Sequence, residues 1–167
     1  LGAGYGRLGY VLLCSAPCRY TIVDIPTALH VSQWYLTSLF PQKTAFRFKP
    51  WDRLDDVADE LRRADLCFLT PDQYARLPHR FFDIGVAISN LGEMSRQQCA
   101  MYIDLFDRKV SEFVYIKQWR RNHNPLDDVE FQKSDYDLPA PWTAIMDRPD
   151  AVQDLFFETL WRRATTA

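Results

Sequence analysis

Gly2-Ala3-Gly4-Tyr5-Gly6-Arg7-Leu8-Gly9 opens the chain, and its reading decides the fold. Alternating glycines allow backbone angles closed to other residues and let a ligand approach the main chain closely. Arg7 to Cys14 follows at once as a helix-length apolar segment. The stretch is therefore a loop that feeds a helix, and the helix N-terminus aims its amides at whatever binds there. Such a loop normally follows a strand. We expect that strand to lie upstream of Leu1, which makes the chain a piece of a longer one. Downstream, Tyr20-Thr21-Ile22-Val23-Asp24 is a short buried-strand pattern ending in an acid.

Two registers overlap in the glycine string. From Gly2 it reads GxGxG, the loop of S-adenosylmethionine enzymes. From Gly4 it reads Gly4-x-Gly6-x-x-Gly9, the dinucleotide fingerprint. Asp24 lies about 20 residues on, where a carboxylate accepts hydrogen bonds from ribose hydroxyls. It serves both registers, so the string and its acid point to a nucleoside-bearing cofactor without choosing one.

Strand-like and helix-like segments alternate along the rest of the chain, which argues for a largely parallel α/β sheet. Pro26 suits the first turn of a helix that runs to Leu39. Thr44 to Lys49 reads as a short edge strand and Asp52 to Arg63 as a polar helix with acids early and arginines late. Leu66 to Thr70 is a strand, Asp72 to Leu77 a short helix, and Asp83 to Ser89 another strand. Ser95 caps a helix to about Lys109. In Glu112 to Trp119, Phe113, Tyr115, Lys117 and Trp119 fall on one face, and Val114, Ile116 and Gln118 on the other. Arg120 to Pro141 is polar and without period, which suggests a functional lid or substrate loop. Trp142 to Met146 and Leu155 to Trp161 read as an antiparallel hairpin, or the second as a terminal helix.

The chain's 167 residues suit one domain, and 47% hydrophobic residues are ample for a core. A net charge of −2 offers no general attraction for nucleic acid. No apolar run reaches the roughly 18 residues of a membrane span. A small-molecule partner is therefore expected, with neither nucleic acid nor membrane. Cys14, Cys18, Cys67 and Cys99 complete no zinc set. As free thiols they point to a reducing, cytoplasmic setting. No cluster of acids or histidines suggests a metal, so metal-independent chemistry is expected.

Further blocks carry a resemblance. Tyr20 to Pro26, Gln33-Trp34-Tyr35-Leu36, Phe82-Asp83-Ile84 and Ser89-Asn90-Leu91-Gly92-Glu93-Met94 resemble the sugar O-methyltransferase family. So do Tyr115 to Trp119 and Asp135 to Pro139 with Trp142. The resemblance covers nearly the whole chain. It implies a Rossmann-like α/β methyltransferase fold: a mostly parallel seven-stranded sheet with helices on both faces and a C-terminal antiparallel hairpin. It also implies one S-adenosylmethionine-binding domain over residues 1–167 and methyl transfer to a hydroxyl of a saccharide or related polar metabolite. Gly2, Ala3, Gly4 and Gly6 then match the methionine-side loop, and Asp24 with Ile25 the ribose-binding segment. Leu69, Thr70 and Asp72 match the adenine flank, and Ser89 and Asn90 the strand end that faces the methyl group. The rivals are an NAD(P)-dependent oxidoreductase using the Gly4 register and a non-catalytic domain that keeps the fold.

An alcohol becomes a good nucleophile once its proton leaves, so a general base within hydrogen-bond reach is useful. Glu93 is the first candidate, because it follows the strand end by four residues. The same acid also suits the N-terminal region of the helix starting near Ser95. His123, between Asn122 and Asn124, is the second candidate, or a solvated loop histidine. Trp119, Trp142 and Tyr136 either stack on a sugar ring or close the core. Tyr102 either lines the pocket or packs inside, and Lys117 either reaches an acidic substrate or lies along the surface.

Overall fold

A computed structural model describes residues 1–125 and 127–164. They divide into two compact units, Leu1–Leu77 and Pro78–Ala167.

In the first unit the glycine loop leads into α1 (Arg7–Ser15), followed by β1 (Tyr20–Val23), α2 (Pro26–Leu39) and β2 (Ala45–Phe46). Then come α3 (Ala58–Arg63), β3 (Leu66–Leu69) and α4 (Pro71–Arg76). The three strands form a parallel sheet in the order β1-β3-β2. β3 is buried at every position, as a central strand covered on both faces must be. Leu29 and Leu36 of α2 pack with Leu13 of α1 onto Ile22 and Phe68 of the sheet. The helix expected over Asp52 to Arg63 is a 3-10 turn at Leu54–Asp56 and then α3. Val57, at φ −127° with its side chain buried, interrupts it. Arg19 closes the far end of α3 by donating to the carbonyls of Leu61 (2.6 Å) and Ala64 (2.9 Å).

In the second unit β4 (Phe82–Ile88), α5 (Arg96–Lys109) and β5 (Val110–Trp119) form a parallel crossover. The ribbon β6 (Arg121–Asn124) and β7 (Val129–Gln132) follows, then the hairpin β8 (Trp142–Pro149) and β9 (Phe156–Arg163). The four-stranded sheet runs β4-β5-β9-β8, with β9 antiparallel to both neighbours. Val114, Ile116 and Gln118 are the buried face of β5, as the alternation predicts. Tyr115, Arg148 and Glu158 tie β5, β8 and β9 together: the Tyr115 hydroxyl (2.7 Å) and Arg148 Nε (2.6 Å) both donate to the Glu158 carboxylate.

Two expectations are corrected. The described residues form a three-stranded parallel sheet, a four-stranded mixed sheet and a two-stranded ribbon, not one seven-stranded sheet. The reason is in the ladders: β1 bonds to β3 alone and β4 to β5 alone, so each is the edge of its own sheet. The stretch Arg120 to Pro141 is not structureless either. It holds β6, β7 and a 3-10 turn at Lys133–Tyr136, anchored by a buried Phe131–Tyr136 stack with centroids 5.8 Å apart.

Candidate functional site

The first unit gathers one set of candidate residues at the C-terminal edge of its parallel sheet. Gly2, Gly4 and Gly6 have φ of 62°, 54° and 95°, all in the left-handed region that favours glycine. The turn therefore uses the three glycines of the register that starts at Gly2. Gly9 serves packing instead. A Cβ there would sit 2.7 Å from the Tyr20 ring, so its absence lets α1 lie close on β1.

Asp24 joins the loop to the sheet. Its Oδ2 accepts from the Gly4 amide (3.1 Å) and its Oδ1 from the Ile25 amide (2.8 Å). The Asp24 amide in turn donates to the Leu69 carbonyl at 3.2 Å, and Gly2 donates to Val23 at 2.9 Å. Loop, acid and the end of β3 thus meet within one hydrogen-bonded group. A Cβ on Gly4 would meet no atom within 4 Å, so the main chain there borders open space. Ile25 is exposed beside it. Thr70 is committed to the N-cap of α4, its hydroxyl accepting from the Gln73 amide while the Gln73 side chain accepts from the Thr70 amide. Leu69 is wholly buried, and Asp72 lies in the first turn of α4.

The second unit gathers another set at the end of β4. Ser89 has φ +51°, an uncommon angle for a residue with a side chain, and such strain gathers at functional turns. Asn90 is buried and exchanges two hydrogen bonds with the buried Gln118 amide: its backbone N–H donates to Oε1 (3.2 Å) and its Oδ1 accepts from Nε2 (3.1 Å). Glu93 follows in the 3-10 turn Leu91–Glu93, exposed. It does not cap α5. Ser95 and Gln98 do so with a reciprocal capping box, which leaves the Glu93 carboxylate outside that role.

The β6–β7 ribbon grips this turn. Asn122 Nδ2 donates to the Gly92 carbonyl (2.7 Å) and Asn124 Nδ2 to the Met94 carbonyl (2.5 Å), so the carbonyls of both neighbours of Glu93 are held. A Cβ on Gly92 would lie 2.8 Å from Asn122 Nδ2 and 2.9 Å from the Tyr136 hydroxyl, so a side chain there would displace these groups from the turn. Arg96 completes the anchorage with an ion pair to Asp135 (2.5 Å) and a bond to the Glu130 carbonyl (2.9 Å). Sequence reasoning missed Gln118, Asn122, Asn124 and Arg96 as shapers of the turn. The available signal was the i, i+2 spacing of the asparagines, which puts both on one face of a strand.

His123 falls on the opposite face of β6, half exposed, with Asp128 (3.5 Å) and Glu130 (3.3 Å) as neighbours. The structure does not bring it to the Glu93 turn. Tyr136, Trp142 and Tyr102 are buried and belong to the core, while Trp119 is 38% exposed and packs on Phe156. Lys117 is paired with Asp150 at 2.6 Å, so its charge is engaged within the chain rather than held out to an acidic substrate. Burial pushes the Cys67 and Cys99 thiols up to about 11, so both stay protonated.

No family model and no curated protein matches the sequence. Solved structures match its fold. A Planctomyces limnophilus O-methyltransferase family 2 protein, in complex with apigenin, superposes at a TM-score of 0.62 with 16% identity, over 98% of this chain and 48% of that one. An S-adenosylmethionine-dependent methyltransferase from Mesorhizobium loti gives 0.58 and 9%, over 97% and 88%. The chain has a methyltransferase-like α/β fold. The fold is not confined to proteins named for methyl transfer: the [4+2]-cyclase SpnF superposes at 0.63 with 11% identity, over 99% of this chain and 74% of that one. The chain spans about half the length of the Planctomyces protein.

Proposed function

We propose that the chain binds S-adenosylmethionine at the glycine loop and transfers its methyl group to a hydroxyl of a saccharide or related polar metabolite. The observation that carries the reading is the Gly4–Asp24 hydrogen bond at a loop whose three positive-φ glycines follow the Gly2 register. The site fits the cofactor in two respects. The Gly4 backbone borders space that any side chain would fill. Among the described residues each Asp24 oxygen accepts one amide hydrogen bond, and a carboxylate oxygen has lone pairs left for ribose hydroxyls.

Bound S-adenosylmethionine supplies a methyl group already activated by its sulfonium. The chain's residues have to orient the acceptor and take its proton. Asp24 and the loop amides fix the nucleoside, with Ile25 exposed beside the base or ribose. Glu93, exposed and free of the capping role, accepts the hydroxyl proton at its carboxylate. Ser89 and Asn90 shape the turn that presents it. A small-molecule acceptor, rather than nucleic acid or a membrane, suits the net charge of −2. No helix among the described residues is long and apolar enough to cross a membrane. The four free thiols suit a cytoplasmic setting.

A second reading has one observation in its favour. Close helix-on-strand packing at Gly9 is what the third glycine of the dinucleotide register does. Calorimetry with S-adenosylmethionine, S-adenosylhomocysteine and NAD separates the two. Binding of the first two and not of NAD is expected. Tight NAD binding without either sulfur compound refutes the proposal, and no binding at all favours a non-catalytic domain.

A further inference from the structure

The second unit contains a cleft of about 500 Å³ that the methyl-transfer reading does not use. Arg120, Arg121, Lys133, Asp137, Asp147 and Trp161 are among its lining residues. Arg121 is paired in register with Gln132 across the ribbon, and both are exposed. Alternation along β6 puts Arg121 on the ribbon face opposite Asn122 and Asn124, which bond to the Glu93 turn, and Arg121 lines the cleft. None of the residues that hold the Glu93 turn lines the cleft, so the two are separate.

Its charges do not cancel. Lys133 is engaged by Asp147, a pair that neutralises itself. Burial pushes the Asp137 carboxyl above its ordinary value, and nearby Lys133 opposes that rise. The Arg120 and Arg121 side chains have no hydrogen bond or ion pair among the described residues. Two guanidinium forks are left over, and their planar geometry matches a carboxylate or a phosphate. Trp161 adds a flat apolar surface beside acids and amides that suit hydroxyl groups.

We infer that this cleft binds a small hydroxylated metabolite carrying a carboxylate or a phosphate monoester, with Arg120 and Arg121 on the anionic group. The site stands or falls apart from cofactor binding. Nitrogen-15 NMR titration with glucuronate, glucose 6-phosphate, glucose and inorganic phosphate tests it. Saturable shifts are expected at Arg120, Arg121 and the Trp161 indole N–H with one or both anionic sugars, and the two arms tell carboxylate from phosphate. Both arginines are exposed, so Arg120→Ala and Arg121→Ala leave the rest of the spectrum in place. Each is expected to weaken binding about fivefold, with the loss shrinking as salt rises. Equal binding of glucose, unchanged binding in the double variant, or no saturable shift with any probe overturns the inference. Inorganic phosphate binding as tightly as glucose 6-phosphate also overturns it, since the metabolite body then contributes nothing.

Discussion

Gly4→Ala separates two reasons for a glycine in the loop: backbone strain and room for a ligand. Gly4 sits at φ +54°, where a Cβ costs about 1–2 kcal/mol. The new Cβ meets nothing within 4 Å, so no packing term is added in the free protein. The melting temperature should fall by only about 2–8 °C, taking roughly 2–4 °C per kcal/mol for a chain of this size. A nucleoside cofactor seated against the main chain meets the added methyl directly. Overpacking of about 1–3 kcal/mol then lowers affinity roughly 5- to 150-fold. Gly6→Ala is the contrast. Its Cβ would press on Leu36 at 3.2 Å and Ile22 at 3.4 Å, so stability should fall further than for Gly4→Ala. Thermal melts and calorimetry with S-adenosylhomocysteine measure both quantities. If Gly4→Ala binds the ligand as tightly as the parent chain while losing the expected stability, the ligand does not approach the loop and the cradle reading is wrong.

Asp24→Ala should weaken S-adenosylhomocysteine by about tenfold or more, since hydrogen bonds to a charged group are the stronger kind. Unchanged affinity in calorimetry contradicts the ribose role. Glu93→Gln should slow methyl transfer to a panel of methyl glycosides by about 100-fold or more while leaving cofactor affinity unchanged, and parental turnover removes Glu93 as the base. Hydrogen bonds from Tyr115 and then Arg148 hold the Glu158 carboxyl below its usual range. A lowered folded value means that this network stabilises the protein above the ordinary glutamate range and loses that contribution as pH falls through the lowered value. Glu158→Gln should therefore flatten the acid limb of a stability-against-pH curve, and an unchanged limb assigns acid unfolding to other carboxylates.

Much of the fold was legible because periodicity and capping are local. The run from Pro26 to Leu39, the cap at Ser95 and the two faces of β5 stand as read. The meeting of Asp24 with the glycine loop was legible because a loop and the next strand's end lie a fixed distance apart in this type of unit. The β6–β7 ribbon was not. Its strands carry Arg121-Asn122-His123-Asn124 and Val129-Glu130-Phe131-Gln132, and the inward asparagines bond to backbone carbonyls rather than packing as apolar residues. Hydrophobic alternation, the usual strand signal, is absent from β6.

By itself the sequence determined the order of helices and strands outside the β6–β7 ribbon, the glycine turn and the acid that follows it. Those depend on torsional freedom and on residues near in the chain. Tertiary structure decided which polar groups remain available. Glu93 is exposed because Ser95 and Gln98 cap α5 and because Asn122 and Asn124 hold its neighbours' carbonyls. Lys117 is taken by Asp150, and Tyr136 and Trp142 are buried, by partners distant in the chain and in no pattern a sequence displays. A side chain's type sets what it can bond to, but only folding determines which partner reaches it first.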